Sequence, residues 1–140
     1  MAYNILIVDD SSSMRKVMTK IIKMSNFPIG EYHEAENGVE GLEVCQENWI
    51  DVIVTDINMP EMDGLTFIQK LQADPALKMI PVVVVSTEGR TAVVEQARKL
   101  GVVQYLQKPF QPELISNTLK ELLGENSHGT ETLDTEEVDF

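Results

Sequence analysis

Residues 51–64 read DVIVTDINMPEMDG. The apolar run at 52–55 predicts a short buried strand with Asp56 at its tip. Pro60 is read as the residue that stops the strand, and Asp63-Gly64 opens a helix with Asp63 as its N-cap. A carboxylate at the edge of an apolar core is costly unless something compensates it. Both the fold class and the chemistry therefore turn on what else the chain brings to that tip.

Outward from this stretch the same unit recurs. Strands are predicted at 4–8, 31–35, 52–55, 82–85 and 103–106, with helical patterns between them. Met14, Val17, Met18, Ile21 and Ile22 follow an amphipathic stripe capped by Ser11 or Ser12. Leu42, Cys45 and Trp49 mark a second helix, and Leu65, Ile68 and Leu71 a third. A fourth, on Val93, Val94, Ala97 and Leu100, stops at Gly101. The last, on Ile115, Leu119, Leu122 and Leu123, runs from Pro112 to Gly124. Strict alternation of strand and helix means βαβ crossovers and a parallel sheet with helices on both faces. ILIV, VIV and VVVV are apolar throughout, as strands buried on both faces must be, whereas EYHEA and VVQYL suit the sheet edges. The expected fold is α/β, a flavodoxin-like doubly wound five-stranded sheet of order 2-1-3-4-5.

Composition narrows the functional classes. The 140 residues, 43% hydrophobic, suit one domain with one core. No apolar stretch approaches the roughly 18 residues of a membrane-spanning helix. The N-terminus MAYNILIVDD has neither a basic flank nor a cleavage site, and the lone Cys45 fits a reducing compartment. A soluble, cytoplasmic monomer is expected. The formal charge of −12 argues against nucleic acid or an anionic membrane as partner. Residues 124–140 hold six acids and no Lys or Arg, which leaves 17 acidic against 11 basic residues, or −6, for residues 1–123. The expected organisation is one domain at 1–123 followed by an acidic, disordered tail at 124–140.

In doubly wound sheets ligands bind beyond the carboxyl ends of the strands, at the switch point between the first and third. Here those ends carry Asp9-Asp10, Asp56 and Ser86, and the fifth strand is followed by Lys108. Asp9, Asp10 and Asp56 together would repel, and a hard divalent cation resolves that conflict. Mg²⁺ takes oxygen ligands and keeps positions open for water or phosphate. His33 and His128 are far from the cluster in sequence, so no softer metal fits as well. With metal and Lys108 present, Asp56 is a nucleophile suited to attack on a phosphoryl group.

These residues resemble the response-regulator receiver domain, nearest to its stand-alone chemotaxis regulators. The likeness is carried by ILIVDDSSSMRK, VTDINMPEMDG, VVVVSTE and QYLQKPF, in order, and it covers residues 4–123. The resemblance implies that Asp56 accepts phosphate from a partner histidine kinase. It implies Asp10 and Asp56 as direct Mg²⁺ ligands, the main-chain carbonyl of Asn58 as a third, and Asp9 acting mostly through water. Ser86 and Tyr105 become the switch, while Asn58, Thr87 and Glu88 tune dephosphorylation. Thr87 stands where the family often has Ala or Gly, and its branched side chain is expected to narrow access to the phosphorylated site. Lys108-Pro109 is expected to be a cis peptide. The downstream protein, a motor switch or another effector, would meet Arg98, Lys99, Gln104 and Tyr105. A phosphorelay intermediate remains an alternative. A haloacid-dehalogenase-type phosphohydrolase is disfavoured, because Asn58 stands where that chemistry needs a second acid. A flavin or nucleotide carrier is disfavoured because DDSSS lacks phosphate-cradling glycines.

Overall fold

The structure, a computed structural model, describes residues 2–124. The tail predicted as disordered therefore lies, from residue 125 on, outside the described residues. The elements run β1 (Tyr3–Val8), α1 (Ser12–Met24), β2 (Ile29–Ala35), α2 (Gly38–Glu47), β3 (Val52–Thr55), α3 (Gly64–Ala73), β4 (Val82–Ser86), α4 (Thr91–Lys99), β5 (Gln104–Gln107) and α5 (Pro112–Leu119). A single π-type turn, Lys120–Gly124, continues α5. The five strands form one parallel sheet of order β2-β1-β3-β4-β5. The polar runs EYHEA and VVQYL supply the two edge strands, as their composition requires.

Side chains alternate across a strand, so each central strand feeds two cores. Leu6, Val8, Ile53, Val82 and Val84 face one core, with Cys45 of α2 and Phe67, Ile68 and Leu71 of α3. Ile5, Ile7, Val52, Val54, Val83 and Val85 face the other, with Met18 and Ile22 of α1 and Ile115 and Leu119 of α5. This is why the strands read as unbroken apolar runs. Helix starts follow the predicted chemistry: Ser11 Oγ accepts from the Met14 amide at 3.2 Å, and Asp63 Oδ1 from the Thr66 amide at 2.8 Å. Gly101 ends α4 with a φ of +94°, a conformation open to glycine at little cost.

Three expectations are corrected. Trp49 is not on α2: the helix ends at Glu47, and the indole is 80% exposed, its Nε1 donating to Asp51 Oδ1 at 3.2 Å. The buried positions of α2 are Gly38, Gly41 and Cys45. A Cβ at Gly41 would collide with the Phe67 ring, so the helix seats against α3 through a residue that carries no hydropathy signal. Val17 belongs to the predicted α1 stripe yet is 46% exposed, since the face that packs is narrower and centres on Met18 and Ile22. Finally, β3 ends at Thr55, five residues before Pro60, so the strand stops where the sheet edge opens rather than at the proline.

Phe67 is fully buried between α2, α3 and the sheet, whereas Trp49 packs into neither core. Phe67→Ala should cost about 3–5 kcal/mol of unfolding free energy by urea titration. Trp49→Ala should cost under about 1 kcal/mol, the loss expected for one exposed hydrogen bond and little buried surface. A Trp49 loss as large as that of Phe67 would contradict this division of the core.

Candidate functional site

Strand pairing builds the site. Val8 stands opposite Thr55 in the β1–β3 ladder, so the next residues, Asp9 and Asp56, leave the sheet side by side. The Asp56 amide donates to Val8 O at 2.9 Å and the Asp9 amide to Ala35 O at 3.0 Å, which extends the ladder to both aspartates. Ser86 is level with Gln107 in the β4–β5 ladder, and the Lys108 amide donates to Ser86 O at 2.8 Å. The Lys108–Pro109 peptide is cis. Behind Asp56, the start of α3 presses on the chain. The Gly64 amide donates to Ile57 O at 2.7 Å, and a Cβ at Gly64 would run into the Asp56 carbonyl. Only glycine permits that approach.

The two central carboxylates are each half-occupied by backbone. Asp9 Oδ1 accepts from the Ser11 amide at 2.9 Å, and Asp56 Oδ1 from the Ile57 amide at 2.7 Å. Their Oδ2 atoms both turn to Lys108, whose Nζ lies 3.5 Å from Asp9 and 3.9 Å from Asp56. Asp10 completes the group: one oxygen from each of Asp9, Asp10 and Asp56 lies within 4.8 Å of the others. Three carboxylates thus face one ammonium. Burial pushes the Asp9 carboxyl above its usual range, and the Asp56 and Asp10 charges add to that rise, while the Ser11 amide and Lys108 oppose it. The donor set is all oxygen and carries excess negative charge, which fits Mg²⁺ and no softer ion.

Around this cluster the other predicted residues fall into place unevenly. Ser86 is buried, and its Oγ accepts from the Glu88 amide at 3.1 Å. The Tyr105 hydroxyl donates to Glu88 O at 2.6 Å from a half-buried ring, and burial raises its pKa, with Glu88 and Asp56 adding. The Asn58 side chain donates to Glu88 Oε1 at 3.2 Å. Thr87 is exposed, and among the described residues it takes no part in these hydrogen bonds. Arg98, Lys99 and Gln104 are exposed at the end of α4 and the start of β5.

Sequence reasoning missed two arginines. Arg90 clamps Glu88: Nε donates to Oε2 at 2.8 Å, Nη2 to Oε1 at 2.9 Å, and its amide to Oε2 at 3.0 Å. The Arg90 side chain, its amide and Asn58 together hold the Glu88 carboxyl down at about 2. Arg15 braces the first loop, donating to Asp9 O and to Glu34 Oε1, each at 2.6 Å. Arg15 was visible within SSSMRK, but its partners follow only from the β1–β2 pairing.

The two acids should titrate with opposite sign. Asp9 has a raised folded pKa, so the folded state holds its proton longer and stability falls as pH rises from 3.8 through the folded value. In metal-free protein, Asp9→Asn should therefore be more stable than wild type at pH 7, with the charge-dependent part of that gain gone below about pH 3.8. Glu88 has a depressed pKa, so its stabilisation is complete above 4.5 and lost toward 2. Urea midpoints across pH 2 to 8 test both signs, and a destabilised Asp9→Asn at pH 7 would contradict the first.

Known proteins resemble this chain in sequence and in fold. The response regulator receiver domain family matches residues 5–120. The chemotaxis protein CheY1 of Helicobacter pylori strain J99 is 41% identical over 123 residues, 87% of this chain and 98% of that one. A CheY homolog of Campylobacter jejuni strain 81-176 is 38% identical, covering 88% and 94%. Among solved structures, the chemotaxis response regulator CheY4 of Vibrio cholerae superposes with a TM-score of 0.76 at 30% identity, over 88% of this chain and all of that one. With the paired aspartates, Asp56 and Lys108 set at the strand ends of this sheet, the chain belongs to the response regulator receiver family.

Proposed function

We propose that this chain is a single-domain response regulator of a two-component system, phosphorylated on Asp56 by a histidine kinase and acting in chemotaxis. The observation that carries the reading is the shared approach of Asp9 Oδ2 and Asp56 Oδ2 to Lys108, with Asp10 alongside. The chemotaxis assignment is supported by the relatives' names. Residues 1–123 are assigned as the receiver and 124–140 as an acidic appendage. The protein acts on itself rather than on a released substrate.

Asp56 Oδ2 is the nucleophile, because Oδ1 is held by the Ile57 amide. It attacks the phosphorus of the donor; the new O–P bond forms as the P–N bond to the donor histidine breaks, and the electron pair leaves with the imidazole. Mg²⁺, held by Asp10, Asp56 and the Asn58 carbonyl with Asp9 behind, would neutralise charge on the phosphoryl oxygens. Lys108 supplies the fixed positive charge on the other side. Its Nζ is already within 3.9 Å of Asp56, so little reorganisation is needed.

Output follows from the hydrogen bonds of Glu88. Its amide is held by Ser86 Oγ and its carbonyl by the Tyr105 hydroxyl. A Ser86 hydroxyl drawn to a phosphoryl oxygen must loosen its bond to the Glu88 amide. The Glu88 peptide then shifts, and Tyr105 shifts with it. Arg98, Lys99, Gln104 and Tyr105 lie on the elements next to that loop and form the face offered to the effector.

Acetyl phosphate with Mg²⁺ should add one phosphoryl group to the protein, and Asp56→Asn should abolish it, as read by intact mass. Single-site labelling that persists in Asp56→Asn would overturn the assignment. Lys108→Ala should still be labelled but should lose the change in Tyr105 fluorescence on phosphorylation. A normal change in that variant would remove Lys108 from the switch.

A further inference from the structure

The chain has 11 Lys and Arg residues against 23 acids, yet four of the 11 lie on α1: Arg15, Lys16, Lys20 and Lys23. That helix carries no Asp or Glu. Arg15 is taken up by Glu34 and the Asp9 carbonyl. Lys16, Lys20 and Lys23 stand at i, i+4 and i+7, a spacing that sets them on one face. All three are exposed, and among the described residues none forms a salt bridge. Lys23 Nζ only overhangs the Tyr32 ring, 5.3 Å from its centroid. With Met24 and Glu34 they line a cavity of about 420 Å³. Beside them Val17 and Met24, also i and i+7, are 46% and 73% exposed. Like charges one turn apart destabilise a helix, so this face gains from a negative partner.

The described chain ends beside it. The Tyr3 hydroxyl donates to Leu123 O at 3.2 Å, and the Tyr3 ring stacks on Phe27 with centroids 5.6 Å apart. Phe27 lies in the α1–β2 connection, three residues beyond Met24. The described residues therefore end next to the C-terminal end of α1, at the end of the sheet opposite Asp56. From there the sequence runs ENSHGTETLDTEEVDF, with five of its six acids between Glu131 and Asp139, interleaved with Leu133 and Val138 and followed by Phe140. Six spacer residues, 125–130, reach about 20 Å when extended. The distance along α1 from Lys16 to Lys23 is only about 10 Å.

We infer that residues 131–140 dock on the outer face of α1, with their carboxylates on Lys16, Lys20 and Lys23 and their apolar side chains on Val17 and Met24. Each exposed ion pair is weak, but tethering gives an effective concentration of about millimolar, and several pairs act together. The other exposed cationic pair, Arg98 and Lys99 on α4, is shorter and shares its helix with Glu95. The docked segment leaves Asp9, Asp10 and Asp56 uncovered, because α1 meets the carboxylate cluster only at its opposite end. It forms a salt-sensitive strap over α1, independent of the phosphorylation reading.

The test uses the full chain with Thr132→Cys carrying a nitroxide label. Native Cys45 is buried and its thiol is pushed up to about 11, so it stays unlabelled. In about 0.01 M salt, where the Debye length is about 30 Å, amide signals of residues 16–24 should lose about half their intensity or more. They should recover in about 1 M salt, where screening acts within about 3 Å. The Lys16→Gln, Lys20→Gln, Lys23→Gln variant should also restore them, whereas Lys→Arg at the same positions should keep the loss. Broadening that survives both salt and the Gln variant would reflect tethering alone and overturn the proposal. Absence of broadening on α1, or broadening centred on Arg98 and Lys99, would overturn it as well.

Discussion

The register in which β1 pairs with β3, from Ile5 opposite Val52 to Val8 opposite Thr55, sets the core and the site together. A slip of one residue would turn every β3 side chain to the wrong face. Ile53 would leave the core built on Phe67, and Val52 and Val54 would leave the core built on Ile22 and Ile115. The same slip would part Asp56 from Asp9 by one residue's rise, about 3.3 Å, enough to break their common approach to Lys108. Apolar burial on two faces is thus what fixes the spacing of the carboxylates. The chemistry needs no separate device to hold its geometry.

Holding that geometry has an energetic consequence. Asp9 is buried beside two other carboxylates, and its raised pKa records the penalty of keeping it ionised there. Lys108 offsets part of that charge, and the backbone amides of Ser11 and Ile57 pin one oxygen of each central aspartate. What remains is a pair of outward oxygens and surplus negative charge. Those are the conditions under which a hard cation and then a phosphoryl group are attracted rather than repelled. The instability of the empty cluster and its proposed reactivity have one origin.

Most of this was legible in the sequence where burial leaves a two-sided signal. The central strands declared themselves because both faces are fully covered, and the edge strands because theirs are covered only in part. The strand-end residues Asp9, Asp10, Asp56, Ser86 and Lys108 could be named because topology, not local sequence, brings strand ends together. On α2 hydropathy found Cys45 and Leu42 but not Gly38 and Gly41, where contact comes from the absence of a side chain. Trp49 was drawn into that helix by its helical spacing from Leu42 and Cys45, although α2 ends at Glu47. Arg90 was missed because its bonds to Glu88 form within a loop, where i and i+2 have no fixed geometry. Tyr105 could be placed on β5, but its bond to the Glu88 carbonyl depends on how the β4–α4 connection folds over it.

Glu88 shows why the loop residues matter beyond their charges. Its carboxylate is paired by Arg90 and hydrogen-bonded by Asn58, which together hold its pKa at about 2. Paired with Arg90, it anchors the start of α4, while its main-chain N–H and carbonyl, in two successive peptide groups, bond Ser86 and Tyr105. In the proposed switch, charge and signal are therefore assigned to different parts of one residue: the side chain is paired and fixed, and the main chain is the part that would move. In the proposed cycle, a shift of the Ser86 hydroxyl by the length of a hydrogen bond would reach Tyr105 through the main chain at Glu88 without requiring any strand of the sheet to change register.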